Sequence, residues 1–171
     1  MITNKMVEHI KDTLNGLTKG KNTNFGQDLD AETVPDSGIL VVLTDEANVD
    51  SLNTSIGKKV LASSTVLGKN DADIFSANDK TINVINIPYS ETISVEKGTA
   101  KGFAIVQVAA ANLKEVNIVG SNENADPRRK YVIDNAKLND CSVLFSGSIS
   151  NNQTIEENNS FSLSNIKITF N

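Results

Sequence analysis

Phe103-Ala104-Ile105-Val106-Gln107-Val108 is apolar at every position except Gln107. Successive residues of a strand point to opposite faces, so such a run needs cover on both sides or it leaves Ile and Val in water. The chain is therefore expected to build a sheet with a layer on each face. One cover is expected to be an opposing sheet, and the other the N-terminal helix described below or a neighbouring subunit.

From Gly38 onward the rest of the chain has a related texture, short β-type runs separated by turn residues. Strands are predicted near Ile39–Thr44, Lys59–Val66, Thr81–Ile87, Ala100–Ala109, Glu115–Val119, Tyr131–Ile133, Ser142–Ser148 and Phe161–Phe170. Turns are predicted at the segment around Asn78-Asp79, at Ser55-Ile56-Gly57-Lys58, near Glu96-Lys97-Gly98-Thr99 and across 119–127. This is the pattern of a mainly β protein, an antiparallel β-sandwich of Ig-like or jelly-roll-like type. In the last strand Phe161 and Leu163 alternate with serines, and the alternation resumes out of phase at Ile166, Ile168 and Phe170. A bulge at Ser164–Asn165 is the simplest repair, and the strand is expected to be central to the fold.

Ahead of this region Met6, Ile10, Leu14 and Leu17, with Val7 beside them, recur at helical spacing and predict an amphipathic helix from Asn4 to about Leu17. Thr3 or Asn4 can cap its start, and Gly16 or Gly20 its end. A helix this short is marginal alone, so its stripe must dock on the main domain or on a neighbouring subunit. Residues 18–37 show no sustained period and are read as a linker or arm. At 171 residues the chain is expected to hold one domain with an appendage: 1–37 as helix and extended arm, 38–171 as the β-sandwich.

Net charge is −5 with a pI near 4.9, so no broad positive field exists to attract nucleic acid. No apolar run approaches the roughly 18–20 residues that span a bilayer, and the first residues are too polar for a signal peptide. The expectation is a soluble chain made in the cytoplasm. The lone Cys141 is consistent with a reducing compartment and is read as a small buried hydrophobe, with no base nearby to activate it. His9, the single histidine, is read as a surface or interface residue.

The acidic clusters Asp45-Glu46…Asp50 and Asp71…Asp73 lack calcium-loop spacing and are read as solvated loop charge. Gly98-Thr99-Ala100-Lys101-Gly102 lacks both phosphate-loop spacings and is read as a turn leading into a strand. Arg128, Arg129 and Lys130 form the one basic cluster and are a candidate contact for an acidic neighbour. No catalytic residues, cofactor or metal site are expected, and the candidate interface residues are Met6, Ile10, Leu14, Leu17, Arg128, Arg129 and Lys130.

The order of segments resembles a group of small tailed-bacteriophage virion proteins. The residues that carry the resemblance are the helix Met6–Leu17, the strand Ile39–Thr44, Gly57-Lys58-Lys59-Val60-Leu61-Ala62, Gly98-Thr99-Ala100 with Phe103 and Ile105, and Phe161–Phe170 ending in Ile166-Lys167-Ile168-Thr169-Phe170. Two positions depart from the group: Ala104 stands where arginine is common, and Asn158-Asn159 where a glycine usually precedes the last strand. The resemblance implies a non-enzymatic structural protein located in the virion, most simply a capsid auxiliary (decoration) protein bound to major capsid protein subunits. A ring or collar protein at the head–tail junction, bound to portal or tail-ring subunits, is the second reading. A receptor- or carbohydrate-binding module of a fibre is the reading from another class, and the absence of Trp disfavours it. Oligomerisation in the virion is expected, with neither nucleic acid nor membrane as partner.

Overall fold

The computed structural model describes residues 1–18, 37–67, 73–85, 92–116, 131–157 and 166–171. Helix α1 spans Asn4–Thr18. Thr3 is the cap: its Oγ1 accepts the Met6 N–H at 3.2 Å and its carbonyl accepts the Val7 N–H at 3.1 Å. Gly16 lies inside the helix and does not end it, and Gly20 falls outside the described residues.

The described strands are β1 (Ser37–Thr44), β2 (Val60–Ser64), β3 (Phe75–Asn78), β4 (Thr81–Val84), β5 (Thr92–Ser94), β6 (Gly98–Ala109), β7 (Leu113–Glu115), β8 (Tyr131–Ile133), β9 (Cys141–Ile155) and β10 (Lys167–Thr169). They form a five-stranded sheet in the order β5-β2-β1-β6-β9, a three-stranded sheet in the order β10-β4-β3 and the pair β7-β8. Every pairing is antiparallel. The protein is thus mainly β and sandwich-like, with one N-terminal helix, as the sequence pattern predicted.

The large sheet lies between two covers because its central strands are apolar on both faces. Ile39, Val41 and Leu43 of β1 and Ile105 of β6 point into a first core, where they meet Phe75, Ile82 and Val84 of the small sheet and Val7 and Leu14 of α1. Leu40 and Val42 of β1, with Ala104, Val106 and Val108 of β6, point into a second core. That core is closed by Tyr131 and Ile133 of β8, by Leu138 from a 3-10 turn over Asn135–Asp140, and by Val49 and Leu52 from the connection after β1. The expected two-sided cover of Phe103–Val108 is present, but the helix lies on the same side as the small sheet, and the second face is covered by β8, the 3-10 turn and the connection after β1 and not by the helix or another subunit.

β9 changes face once. Val143 packs against the second core while Phe145 packs against the first, which a regular strand forbids because positions two apart share a face. The register supplies the reason: Ile105 pairs with Phe145 and Val106 with Val143, so Leu144 is an extra residue that flips the pattern. Phe145 then meets Phe170, ring centroids 6.0 Å apart at 82°, an edge-to-face contact that joins the two sheets.

Several expectations differ from the structure. Gly98–Gly102 is the start of β6 and not a turn, because Gly98–Ala100 pairs with the far end of β9. The strand predicted to end at Ser148 therefore runs on to Ile155. β3 and β5 were not predicted as strands; each is short, and β3 shows only Phe75 and Ala77 in alternation. Of the strand predicted at Glu115–Val119, Glu115 ends β7 (Leu113–Glu115), which starts earlier than expected, and 117–119 lie outside the described residues. Among the described residues the C-terminal strand is an edge of the small sheet and not its centre: β10 pairs with β4 alone, Ile166 is buried, and Ile168 and Phe170 are partly exposed. Phe161, Leu163 and the expected bulge at Ser164–Asn165 lie outside the described residues.

Candidate interaction surfaces

The predicted helix stripe and the observed buried face differ by a small rotation. Val7, Leu14, Asn15 and Thr18 are buried and Ile10 is partly buried, whereas Met6 remains 50% exposed. Leu14 is therefore taken up by the protein's own first core, Ile10 packs at its margin, and Met6 faces outward. The side chain of Leu17 is not among those described.

Asn15 was invisible to a reading based on apolar period, yet it fixes the helix. Its Oδ1 accepts the backbone N–H groups of Ile74 and Phe75 at 3.0 and 2.9 Å, and its Nδ2 donates to the Phe75 carbonyl at 2.8 Å. A primary amide offers both donor and acceptor, so one side chain satisfies three backbone groups at the outer edge of β3. Exposed edges invite foreign strands; here the helix seals one.

The acidic connection after β1 is held by its own chain. Asp45 Oδ1 accepts the Lys59 N–H at 3.0 Å, and Asp50 lies 3.5 Å from Lys58 Nζ, whose positive charge lowers the Asp50 pKa. Asn48 adopts φ 54° and donates its N–H to the Gly147 carbonyl at 3.3 Å, while Ser146 Oγ donates to the Val49 carbonyl at 2.5 Å. This connection crosses β6 at Gly102 so closely that an added Cβ would lie 2.6 Å from the Glu46 oxygen and 2.7 Å from Ala47 Cα. That contact, and not a turn, explains the glycine. Beyond it, Ile56 is 58% exposed at the tip of a turn stabilised by Gly57 at φ +85°.

An open cleft of about 600 Å³ lies beside β5, lined by Lys59, Ser94, Val95, Glu96, Lys97 and Glu157. Lys59 Nζ sits 2.9 Å from Glu96 Oε1, and Asn135 Nδ2 donates to Glu96 Oε2 at 2.9 Å and to the Val60 carbonyl at 2.8 Å. The hydrogen bond to Glu96 raises the Lys59 pKa above the ordinary lysine value. Both Glu96 oxygens are thus engaged, and the lining mixes both signs of charge, so the cleft presents no focused field for one ligand class.

Cys141 begins β9 against the second core, and burial pushes its thiol pKa up to about 12. A thiol so placed stays protonated and unreactive near neutral pH. His9 is exposed on α1, where its carbonyl accepts the Thr13 hydroxyl at 2.9 Å. Arg128, Arg129 and Lys130 lie outside the described residues, as does Asp71.

Among the described residues no group of three or more His, Cys, Asp or Glu side chains could hold a metal ion, and no helix is long and apolar enough to cross a membrane. Comparison of the chain with protein-family models, with curated proteins and with solved structures finds no match. What the surfaces do must therefore be argued from their own residues.

Proposed function

We propose that this chain is a non-enzymatic structural protein of a tailed-bacteriophage virion, acting as a capsid auxiliary protein that binds neighbouring capsid subunits. The observation that carries the reading is the ordered set of segments that resembles small virion proteins. The structure gives those segments concrete roles in the framework: Ile39–Thr44 is the central strand β1, Gly98–Ala100 opens β6, and Leu61 packs within 3.1 Å of where a Gly98 Cβ would stand. Gly57 takes the left-handed turn ahead of β2, and Ile166–Phe170 carries β10.

Two physical features support a binding role. Asn15, Asp45 and Glu96 are each engaged by the chain's own groups. The longest described strand, β9, meanwhile leaves seven of its fifteen residues exposed and buries one.

The test is to quantify this chain in purified particles against the major capsid protein, and to locate it by tagging. The reading expects a stoichiometry near that of the capsid subunits and label over the shell. A single ring's worth of copies at one vertex would favour the head–tail junction instead, and label on fibres would favour a receptor-binding module. Absence from intact particles would overturn the virion reading altogether.

A further inference from the structure

The four sheet edges of the two larger sheets are treated unequally. β10 is three residues long and carries Lys167, and the described part of β5 is Thr92–Ser94. β3 is sealed by the amide of Asn15. β9 is different: it runs fifteen residues along the eleven of Gly98–Val108, and among the described strands it pairs with β6 alone. From Cys141 to Ile155 it contains no charged residue and no proline, the two sequence devices that most often block strand addition.

Its second irregularity lies in the exposed half of the strand. Ala100 pairs with Gln153 and Gly102 with Ser148, so Lys101 of β6 faces four residues, Ile149 to Asn152, that have no register partner. Ser150, Asn151, Asn152, Gln153 and Thr154 are all exposed. Amide and hydroxyl side chains donate and accept, so each can pair with a copy of itself, which an ammonium or carboxylate cannot do. The rest of the surface is acidic overall, with a net charge of −5, so two copies approach each other at least electrostatic cost where the contact carries no charge.

We propose that the outer edge of β9 is a self-association surface, through which two copies of this chain pair β9 antiparallel to β9 about a two-fold axis. An antiparallel pair of identical strands is self-complementary: the contact that one copy offers is the contact the other needs. The partner is thus a second copy, and the neutral, amide-rich strip selects it. The inference does not depend on the virion reading, since it concerns the purified chain alone.

Sedimentation of the full chain from micromolar to millimolar concentration is the experiment, read beside the double variant Ser142→Lys/Ser148→Lys, which places a cation on each part of the edge. The expected result is a concentration-dependent dimer in the parent and a monomer in the variant, with Lys167→Glu on β10 dimerising like the parent. Should the double variant fail to fold by circular dichroism, single cysteines at Ser148, Ser150 or Asn152 in a Cys141→Ser background keep the test open. At least one of them is expected to form an interchain disulfide under mild oxidation, and a cysteine at Ser76 on β3 is expected to form none. A parent that stays monomeric throughout, a folded lysine variant that still dimerises, or cross-linking through Ser76 alone would overturn the proposal.

Discussion

β1 and β9 flank the same strand, β6, yet they live in different environments. Every residue from Ile39 to Leu43 of β1 is buried, whereas in β9 only Ile155 is. The contrast follows from what each strand can offer. β1 carries Ile, Leu and Val at both parities and has ladder partners on both sides, so it is stable only in the middle. β9 has one apolar run, Val143-Leu144-Phe145, and beyond it only Ile149 and Ile155 among Gly, Ser, Asn, Gln and Thr, so its far half prefers water. A strand's place in the sheet is therefore written in whether one parity or both are apolar. The same contrast separates the part that holds the fold from the part open to partners.

The sharpest way to break this contrast is to truncate one side chain in each strand. Leu40→Ala is expected to cost about 2–5 kcal/mol, because Leu40 is wholly buried in the second core. At this chain length each kcal/mol corresponds to a melting shift of roughly 2–4 °C. Asn152→Ala on β9 is expected to stay within about 0.5 kcal/mol of the parent. Thermal unfolding of the two variants side by side is the measurement, and equal losses would remove the distinction.

Gly102 and Gly147 sharpen it at the junction of β6 and β9. An added Cβ at Gly102 would meet three backbone atoms at 2.6 to 2.7 Å, so the connection after β1 must move, and Gly102→Ala is expected to cost about 1–3 kcal/mol. At Gly147 the nearest atoms belong to the Phe103 ring, which can turn, so Gly147→Ala is expected to cost less. Denaturant midpoints at unchanged slope would report the ordering, and a reversal would mean that β9 is the stiffer side.

Asn15 tests how a sealed edge differs from an open one. Asn15→Ala leaves two N–H groups and a carbonyl of β3 without their partner and is expected to cost about 1–3 kcal/mol, with increased exposure of Phe75 to solvent. Asn15→Asp keeps the acceptor for both N–H groups and loses only the donor, so the smaller loss is expected there. Equal behaviour of the two would show that the helix is held by Val7 and Leu14 alone.

The smallest effect concerns Cys141. Its folded pKa of about 12 lies above the ordinary thiol value of 9.0, so between these limits the folded chain keeps a proton that the unfolded chain releases. By linkage the stability it contributes is complete below pH 9 and declines as pH rises toward 12. Cys141→Ala is expected to flatten that alkaline slope slightly, as unfolding at pH 8 and pH 10 would show. Thiol labelling is expected to be slow in the folded chain and fast in denaturant.

How much of this was legible in the sequence varies by element. Phe103–Val108 announced its two-sided burial because every residue but one is apolar, and Tyr131–Ile133 was placed on the residues observed. The helix was placed correctly, but its buried face was read around Met6 when Val7 holds the contact, since a stripe of period 3.6 leaves the neighbouring position equally eligible. Asn15 gave no apolar signal, because it works through backbone groups nearly sixty residues away that only the fold brings near. The far half of β9 looked like loop, its Gln153, Thr154 and Ile155 being paired by Gly98–Ala100 through long-range register that local composition does not encode. For the same reason the edge of β9 proposed to pair with a second copy was missed, while the predicted basic cluster at Arg128, Arg129 and Lys130 lies outside the described residues.

Amide hydrogen exchange along the chain tests the division between centre and edge most directly, because it reports the opening of each segment separately. The account predicts that amides of Leu40–Val42 and Ala104–Val106 exchange only with global unfolding. The residues Ile149 to Asn152, which have no register partner on β6, are predicted to exchange fast in dilute solution and to slow as concentration rises and copies pair. Protection of Ile149–Asn152 equal to that of β1 in dilute solution, or exchange of β1 as fast as that edge, would contradict it.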